Sequence, residues 1–168
     1  MRLPLRFLPI TIVALLTASA AHAQIQAQRP VLDWRTFVVP QYGTTIDYPA
    51  GIFVPAGAPE KGVGQRFDRP DGRAVLSIYS RDNEQGDTPA GFLRKNLRVD
   101  RSEIGYQRVT RGFFAISMER QGMIYYSRCN FSRAGAMHCF DLVYPKEEER
   151  AWDAVVTRIS LSLRPLEG

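Results

Sequence analysis

Histidine is scarce in this sequence: two residues in 168, His22 and His138. Only His138 lies beyond the N-terminal segment described below. A Ser-His-Asp or Cys-His site needs a histidine base beside an exposed nucleophile. His138 adjoins Cys139 on a segment that reads as strand, where it is expected to meet solvent or a hydrogen bond rather than substrate. Cysteine is equally sparse, with Cys129 and Cys139 alone. A zinc site takes three or four His, Cys or carboxylate ligands, more than one histidine and a bonded cysteine pair can supply. The acids at Asp82, Glu84 and Asp87 lack the spacing of a calcium loop. Gly62-Val63-Gly64 has neither the strand-turn-helix setting nor the Lys-Ser pair of a phosphate-binding loop. No cofactor or metal is therefore expected. Seventeen Asp and Glu residues keep carboxylate-based hydrolysis open in principle, but they single out no pair. There is no internal repeat, low-complexity tract or second linker.

Long apolar runs are also missing, with one exception at the N-terminus. Arg2 and Arg6 open the chain, residues 8–21 form an apolar stretch of about 14, and Ala21-His22-Ala23 offers the small-x-small pattern of a signal peptidase site. A membrane-spanning helix wants roughly 20 apolar residues, and Pro4 and Pro9 interrupt this one. No cysteine follows to take a lipid anchor. Residues 1–23 are expected to be a cleaved signal peptide, residues 24–30 a flexible polar leader, and residues 31–168 a single domain. No transmembrane segment is expected in the mature chain, and its location is expected to be periplasmic or secreted. Removal of Arg2 and Arg6 takes the net charge from +5 to +3. That mild basicity, with export, points away from nucleic acid and toward an envelope protein or an anionic surface.

What remains has clear periodicities. Residues 34–39 and 44–48 are rich in strand formers, the latter ending at Pro49. Residues 49–64 hold enough proline and glycine to read as a loop, anchored by Ile52, Phe53 and Val54. Residues 65–82 read as a hairpin around Pro70-Asp71-Gly72, with Ala74, Leu76 and Ile78 on one face of its return strand. Thr88-Pro89 looks like an N-cap followed by proline at the first helical position. The helix is expected to run to about Val99, burying Phe92, Leu93 and Leu97. A short strand near residues 106–110 and a three-strand meander over 113–120, 123–131 and 136–144 follow. The meander carries large apolar groups on both faces, so it is expected to be covered on both. Pro145 and Glu147 to Glu149 open a last helix whose stripe is Trp152, Val155, Val156, Ile159 and Leu163. The order is α+β, with an antiparallel sheet flanked by helices.

Two features are candidates for function or stability. Arg94, Arg98 and Arg101 fall at i, i+4 and i+7 with Lys95 alongside, either an ordinary solvated helix face or a contact patch for an anionic partner. Arg66, Arg69, Arg73 and Arg81 crowd the first hairpin. Cys129 and Cys139 are symmetric about Ala134 in the Arg133-Ala134-Gly135 turn, where glycine takes the final left-handed position. Counting outward pairs Asn130 with His138 and Cys129 with Cys139, close enough at Cα for a disulfide, and export favours one.

The string Tyr42-Gly43-Thr44-Thr45-Ile46-Asp47-Tyr48-Pro49, with Gly51 and Phe53 after it, resembles the opening of PsbP-like domains. That family includes the photosystem II subunit PsbP, the DcrB-type bacterial envelope proteins and a Ran-binding nuclear import factor. Its members often carry tryptophan where this chain has Phe53. The later hairpin, mid-chain helix, meander and terminal helix follow the same order, which implies a PsbP-like sandwich. With Gly64, Phe67 and Asp71-Gly72-Arg73-Ala74 added, the string also resembles a group of uncharacterised exported proteins of alphaproteobacteria. PsbP-like domains are mostly non-enzymatic binding or assembly modules. The match is to a structural motif, so no binding residue is carried over. The expected function is an exported, non-catalytic binding or accessory module of the cell envelope. The alternative is a small periplasmic enzyme, hydrolase-type and carboxylate-based. A secreted inhibitor or a structural envelope component is a further possibility. A deep pocket of converging acids would favour the enzyme, and a shallow apolar or basic groove between helix and sheet would favour the binder.

Overall fold

The computed structural model describes residues 32–165. The expected signal peptide and leader, Val31 and the last three residues lie outside the described residues. The chain forms β1 (Trp34–Val39), β2 (Thr44–Pro49), β3 (Val54–Gly57), β4 (Val63–Asp68), β5 (Val75–Asp82), α1 (Pro89–Asn96), β6 (Ile104–Val109), β7 (Phe113–Arg120), β8 (Met123–Phe131), β9 (Ala136–Pro145), α2 (Glu149–Ser162) and β10 (Arg164–Pro165). Strands β3-β4-β5-β9-β8-β7-β6 make a seven-stranded sheet, and β1-β2-β10 a separate three-stranded one. All pairings are antiparallel. The architecture is thus α+β, and strand dominates.

Alternation along β5, β8 and β9 gives the large sheet two apolar faces. On the first, Leu76, Ile78, Phe140, Leu142 and Ile124 pack against Trp152, Val155 and Ile159 of α2 and against Ile46 of β2. On the second, Tyr79, Phe114, Ile116, Cys129, Met137 and Cys139 pack against Leu93 of α1, with Phe92 and Leu97 at the margin. The helices therefore lie on opposite faces. The three-stranded sheet shares the first face with α2, a layer that the strand propensities alone did not separate from the rest.

Several expectations change at element ends. The 49–64 loop contains β3, which pairs with β4 across a bulge; of its proposed anchors Phe53 is buried, whereas Val54 is 47% exposed. Helix α1 starts as expected, the Gly91 N–H donating to Thr88 Oγ1 at 3.1 Å, but it ends at Asn96 and not near Val99. The Asn96 amide donates to the Phe92 carbonyl at 2.8 Å, a side-chain bond that competes with continued helix. Leu97 is already extended, with φ −88° and ψ 109°. At the other end a 3-10 turn over Lys146–Glu148 precedes α2. Two of the hairpin arginines are committed there: Arg69 bonds Glu148 at 2.6 Å and Arg73 pairs with Glu147 and Glu148, while Arg66 pairs with Asp68. Arg69 and Arg73 tie the β4–β5 turn to the start of α2, whereas the Arg66 pair stays within β4.

The β8–β9 hairpin has the register counted outward from Ala134. Phe131 faces Met137, Asn130 faces His138 and Cys129 faces Cys139, and Gly135 is left-handed at φ 79°. The two cysteines lie 4.1 Å apart at Cα with their sulfurs at bonding distance. Peptide mapping without reduction is expected to recover the Cys129–Cys139 linked pair, and two alkylatable thiols would refute it. The closed loop is short, so replacing both residues with alanine should cost about 2–3 kcal/mol of chain-entropy stabilisation in a denaturant titration.

Candidate binding groove

Helix α1 has eight residues and is too short to cover the second face of a seven-stranded sheet. The register divides that face into cross-strand rows running β5–β9–β8–β7. Tyr79, Cys139, Cys129 and Phe114 form one row, and all four are buried. The next row is Ser77, Asp141, Ser127 and Ile116, and the one beyond it Val75, Val143, Tyr125 and Met118. Of these only Ile116 is buried; the others are half-buried. α1 therefore lies over the disulfide row, where Phe92 stacks on Phe114 at 5.8 Å, and leaves the other two as the floor of a groove. The space is about 870 Å³, within the usual range for ligand sites. Leu97, Arg98 and Val99 form one wall, and Pro59, Glu60 and Lys61 the other.

That second wall depends on two glycines. A Cβ on Gly62 would lie 2.4 Å from the Ser80 carbonyl oxygen, and one on Gly64 would lie 2.0 Å from that of Ile78. Glycine at both positions lets the β3–β4 segment press onto β5, and Lys61 thereby reaches 6.0 Å from the centre of the Tyr79 ring. The close approach gives Gly62 and Gly64 their structural role.

Charged groups line the walls and edge of the groove, and its floor is apolar except at the centre. There Asp141 accepts from Ser127 Oγ at 2.6 Å and from Lys61 Nζ at 3.1 Å. Burial first, and then the neighbouring Asp141 carboxylate, pushes the Tyr79 phenol up from its ordinary value, so it keeps its proton. Arg66 and Arg81 lie at the edge of the groove. The floor can seat an apolar group beside a polar strip in which the carboxylate is already held by an ammonium and a hydroxyl. Among the described residues no group of three metal-ligating side chains lies together.

The basic patch read as one helix face is dispersed, because the helix stops at Asn96. Arg94 is exposed on α1. Lys95 pairs with Asp87 and donates to Gln85 Oε1 at 3.1 Å. Arg98 lies in the extended segment at the groove wall, and Arg101 opens a 3-10 turn. Arg81, Arg98 and Lys61 thus edge the groove, while Arg94 lies on α1 and Arg101 in the 3-10 turn after it.

His138 is elsewhere altogether. It is 2% exposed on the sheet's first face, not solvent-facing, and its Nδ1 lies 2.6 Å from Thr44 Oγ1, which lies 2.5 Å from Ser80 Oγ. All three are buried, so this chain of polar atoms offers no nucleophile to a substrate.

The groove cluster of Lys61, Tyr79, Ser127 and Asp141 was not singled out from the sequence. The available signal was Ser127 and Asp141, each a polar residue in the middle of an otherwise apolar strand.

No family model matches the sequence, and no curated protein matches it. Among solved structures, the chain is similar to the solution structure of cyanobacterial PsbP (CyanoP) from Synechocystis sp. PCC 6803. The TM-score is 0.59 at 11% sequence identity, over 80% of this chain and 94% of that one. The fold is PsbP-like. Within this PsbP-like frame the expected sheet, mid-chain helix and terminal helix are all present, and the groove lies on the face that holds the mid-chain helix.

His138 generates a pH prediction. Burial pushes its pKa below the ordinary 6.5, so the folded chain favours neutral imidazole. The unfolded chain takes up a proton as pH falls through about 6.5, whereas the folded one does so only at lower pH. Stability is then complete above that point and declines below it, by about 1.4 kcal/mol for each unit of separation. Melting temperature measured from pH 7.5 to 5 should fall in the parent chain and fall less in His138→Gln. An equal slope in both would show that His138 does not set it.

Proposed function

We propose that this chain is an exported, non-catalytic binding or accessory module of the cell envelope, periplasmic or secreted, and that the groove beside α1 is its binding surface. The carrying observation is the half-buried floor of Val75, Val143, Tyr125 and Met118 beside Asp141. Such a surface suits an apolar anchor flanked by polar contacts. Carboxylate-based hydrolysis calls for two acids in complementary roles. Of the two groove acids, Glu60 is exposed on the wall and Asp141 is already held by Lys61 and Ser127, which favours the binding reading over the enzyme.

Export rests on residues 1–23 and on the cysteine pair at bonding distance, a linkage that persists in oxidising compartments. In this reading the working chain starts near Gln24, and a short leader precedes one domain. The PsbP-like fold supports an accessory role, as does the sequence resemblance to DcrB-type and alphaproteobacterial exported proteins. Among the described residues no helix is long and apolar enough to cross a membrane. The partner in this reading is an envelope protein that places an apolar side chain on the groove floor and an acidic group against Arg81 or Arg98. Neither arginine has a carboxylate at ion-pair distance among the described residues.

The test is affinity capture from the chain's own envelope, comparing the parent with Val143→Trp, which fills the groove, and Leu161→Ser on the outer face of α2, where Leu161 is 74% exposed. The groove variant should lose about tenfold or more of the captured partner, the loss of one well-placed anchor, while Leu161→Ser captures normally. A partner retained equally by Val143→Trp, with its melting temperature unchanged, would overturn the groove assignment.

A further inference from the structure

On the first face of the large sheet, two cross-strand rows lie at its β6–β7–β8 end. Arg108, Ala115 and Arg128 form one; Tyr106, Ser117 and Tyr126 form the other. In each row β7 contributes a small residue between two long ones. The result is a strip along β7 with arginine and tyrosine on either side and alanine and serine beneath.

The two arginines are held in place without a counter-ion. Phe113, next along the same face of β7, has its ring centre 4.4 Å from Arg128 Cζ and 5.5 Å from Arg108 Cζ. Arg128 Nη1 donates to Ser160 Oγ at 2.9 Å, and Arg128 Nε donates to Asn130 Oδ1 at 3.1 Å. Those bonds orient the guanidinium plane and use two of its five N–H groups. Among the described residues neither arginine has a carboxylate at ion-pair distance. Burial pushes the Arg128 pKa down, and the Arg108 charge acts in the same direction. Two like charges gathered on one strip oppose folding unless something else uses them.

We propose that the strip over Ala115 and Ser117, between Arg108 and Arg128, is a binding site for a phosphoryl oxyanion. A guanidinium fork matches a tetrahedral oxyanion in geometry as well as charge. Two forks from opposite sides can engage different oxygens of one phosphoryl group, and Ser117 lies in the neighbouring row of the same strip, between Tyr106 and Tyr126. The site is on the face opposite the groove and does not depend on the groove's function.

Inorganic phosphate is the first probe, titrated calorimetrically into the chain purified as its cells make it, against sodium chloride at matched ionic strength. Arg108→Gln and Arg128→Gln should each weaken phosphate binding about tenfold or more, the scale of one lost charge-assisted contact. Arg35→Gln, remote on β1 and paired with Asp33 at 2.8 Å, should leave it unchanged. Arg108 is exposed, so Arg108→Gln keeps the test open if Arg128→Gln fails to fold. A second arm uses phosphatidylglycerol vesicles. Vesicle association lost in the same variants assigns the phosphoryl group to a lipid headgroup; phosphate binding without vesicle association assigns it to a soluble phosphate or ester. Binding in neither arm, or binding that both arginine variants retain, overturns the proposal.

Discussion

Strand β9 is the constraint on which the rest of the molecule depends. It lies between β5 and β8, at the centre of the large sheet. Phe140, Leu142 and Tyr144 leave one side of it; Met137, Cys139 and Val143 leave the other. A central strand that is apolar on both sides needs cover on both. The first face receives α2 together with β1, β2 and β10. The second receives only α1, about 12 Å of helix at 1.5 Å per residue. What that short helix cannot reach is the groove.

The covers are fastened in different ways. α2 is held by a long apolar stripe and, at its start, by Arg69 and Arg73 on Glu148. Arg69 is the more enclosed of the two arginines, and the Glu148 hydrogen bond holds its pKa above the ordinary value. α1 is held by Phe92 and Leu93 over Phe114 and the disulfide row. The Cys129–Cys139 pair therefore does two things: it fixes the β8–β9 register and forms the floor under α1. The same register that opposes the cysteines aligns Ser127 with Asp141 two residues on, so the hairpin geometry also assembles the polar centre of the groove.

Local patterns made much of this legible in the sequence. The cysteine register followed from the symmetry of 129 and 139 about a turn ending in Gly135. The α2 stripe followed from apolar spacing, and the start of α1 from Thr88-Pro89. Non-local features were not legible. β5 pairs with β9, about sixty residues away in sequence, and nothing in either strand announces that partner. Without it, the row Ser77–Asp141–Ser127 does not exist, and Asp141 is one acid among seventeen. The burial of His138 depends likewise on Thr44 arriving from a different sheet. The spacing of 94, 98 and 101 assumed one continuous helix, and the helix ends at Asn96, before Arg98 and Arg101.

The central claim is that α1 leaves the Val75–Val143–Tyr125 row open to solvent while the opposite face of β5 and β9 is sealed. Methyl-resolved NMR with a soluble paramagnetic gadolinium chelate tests it directly. The methyls of Val75, Val143 and Met118 should relax strongly, while those of Leu76, Leu142 and Ile159, which are at most 0% exposed, should not. Equal protection of Val143 and Leu142, adjacent residues on opposite faces of β9, would contradict the account.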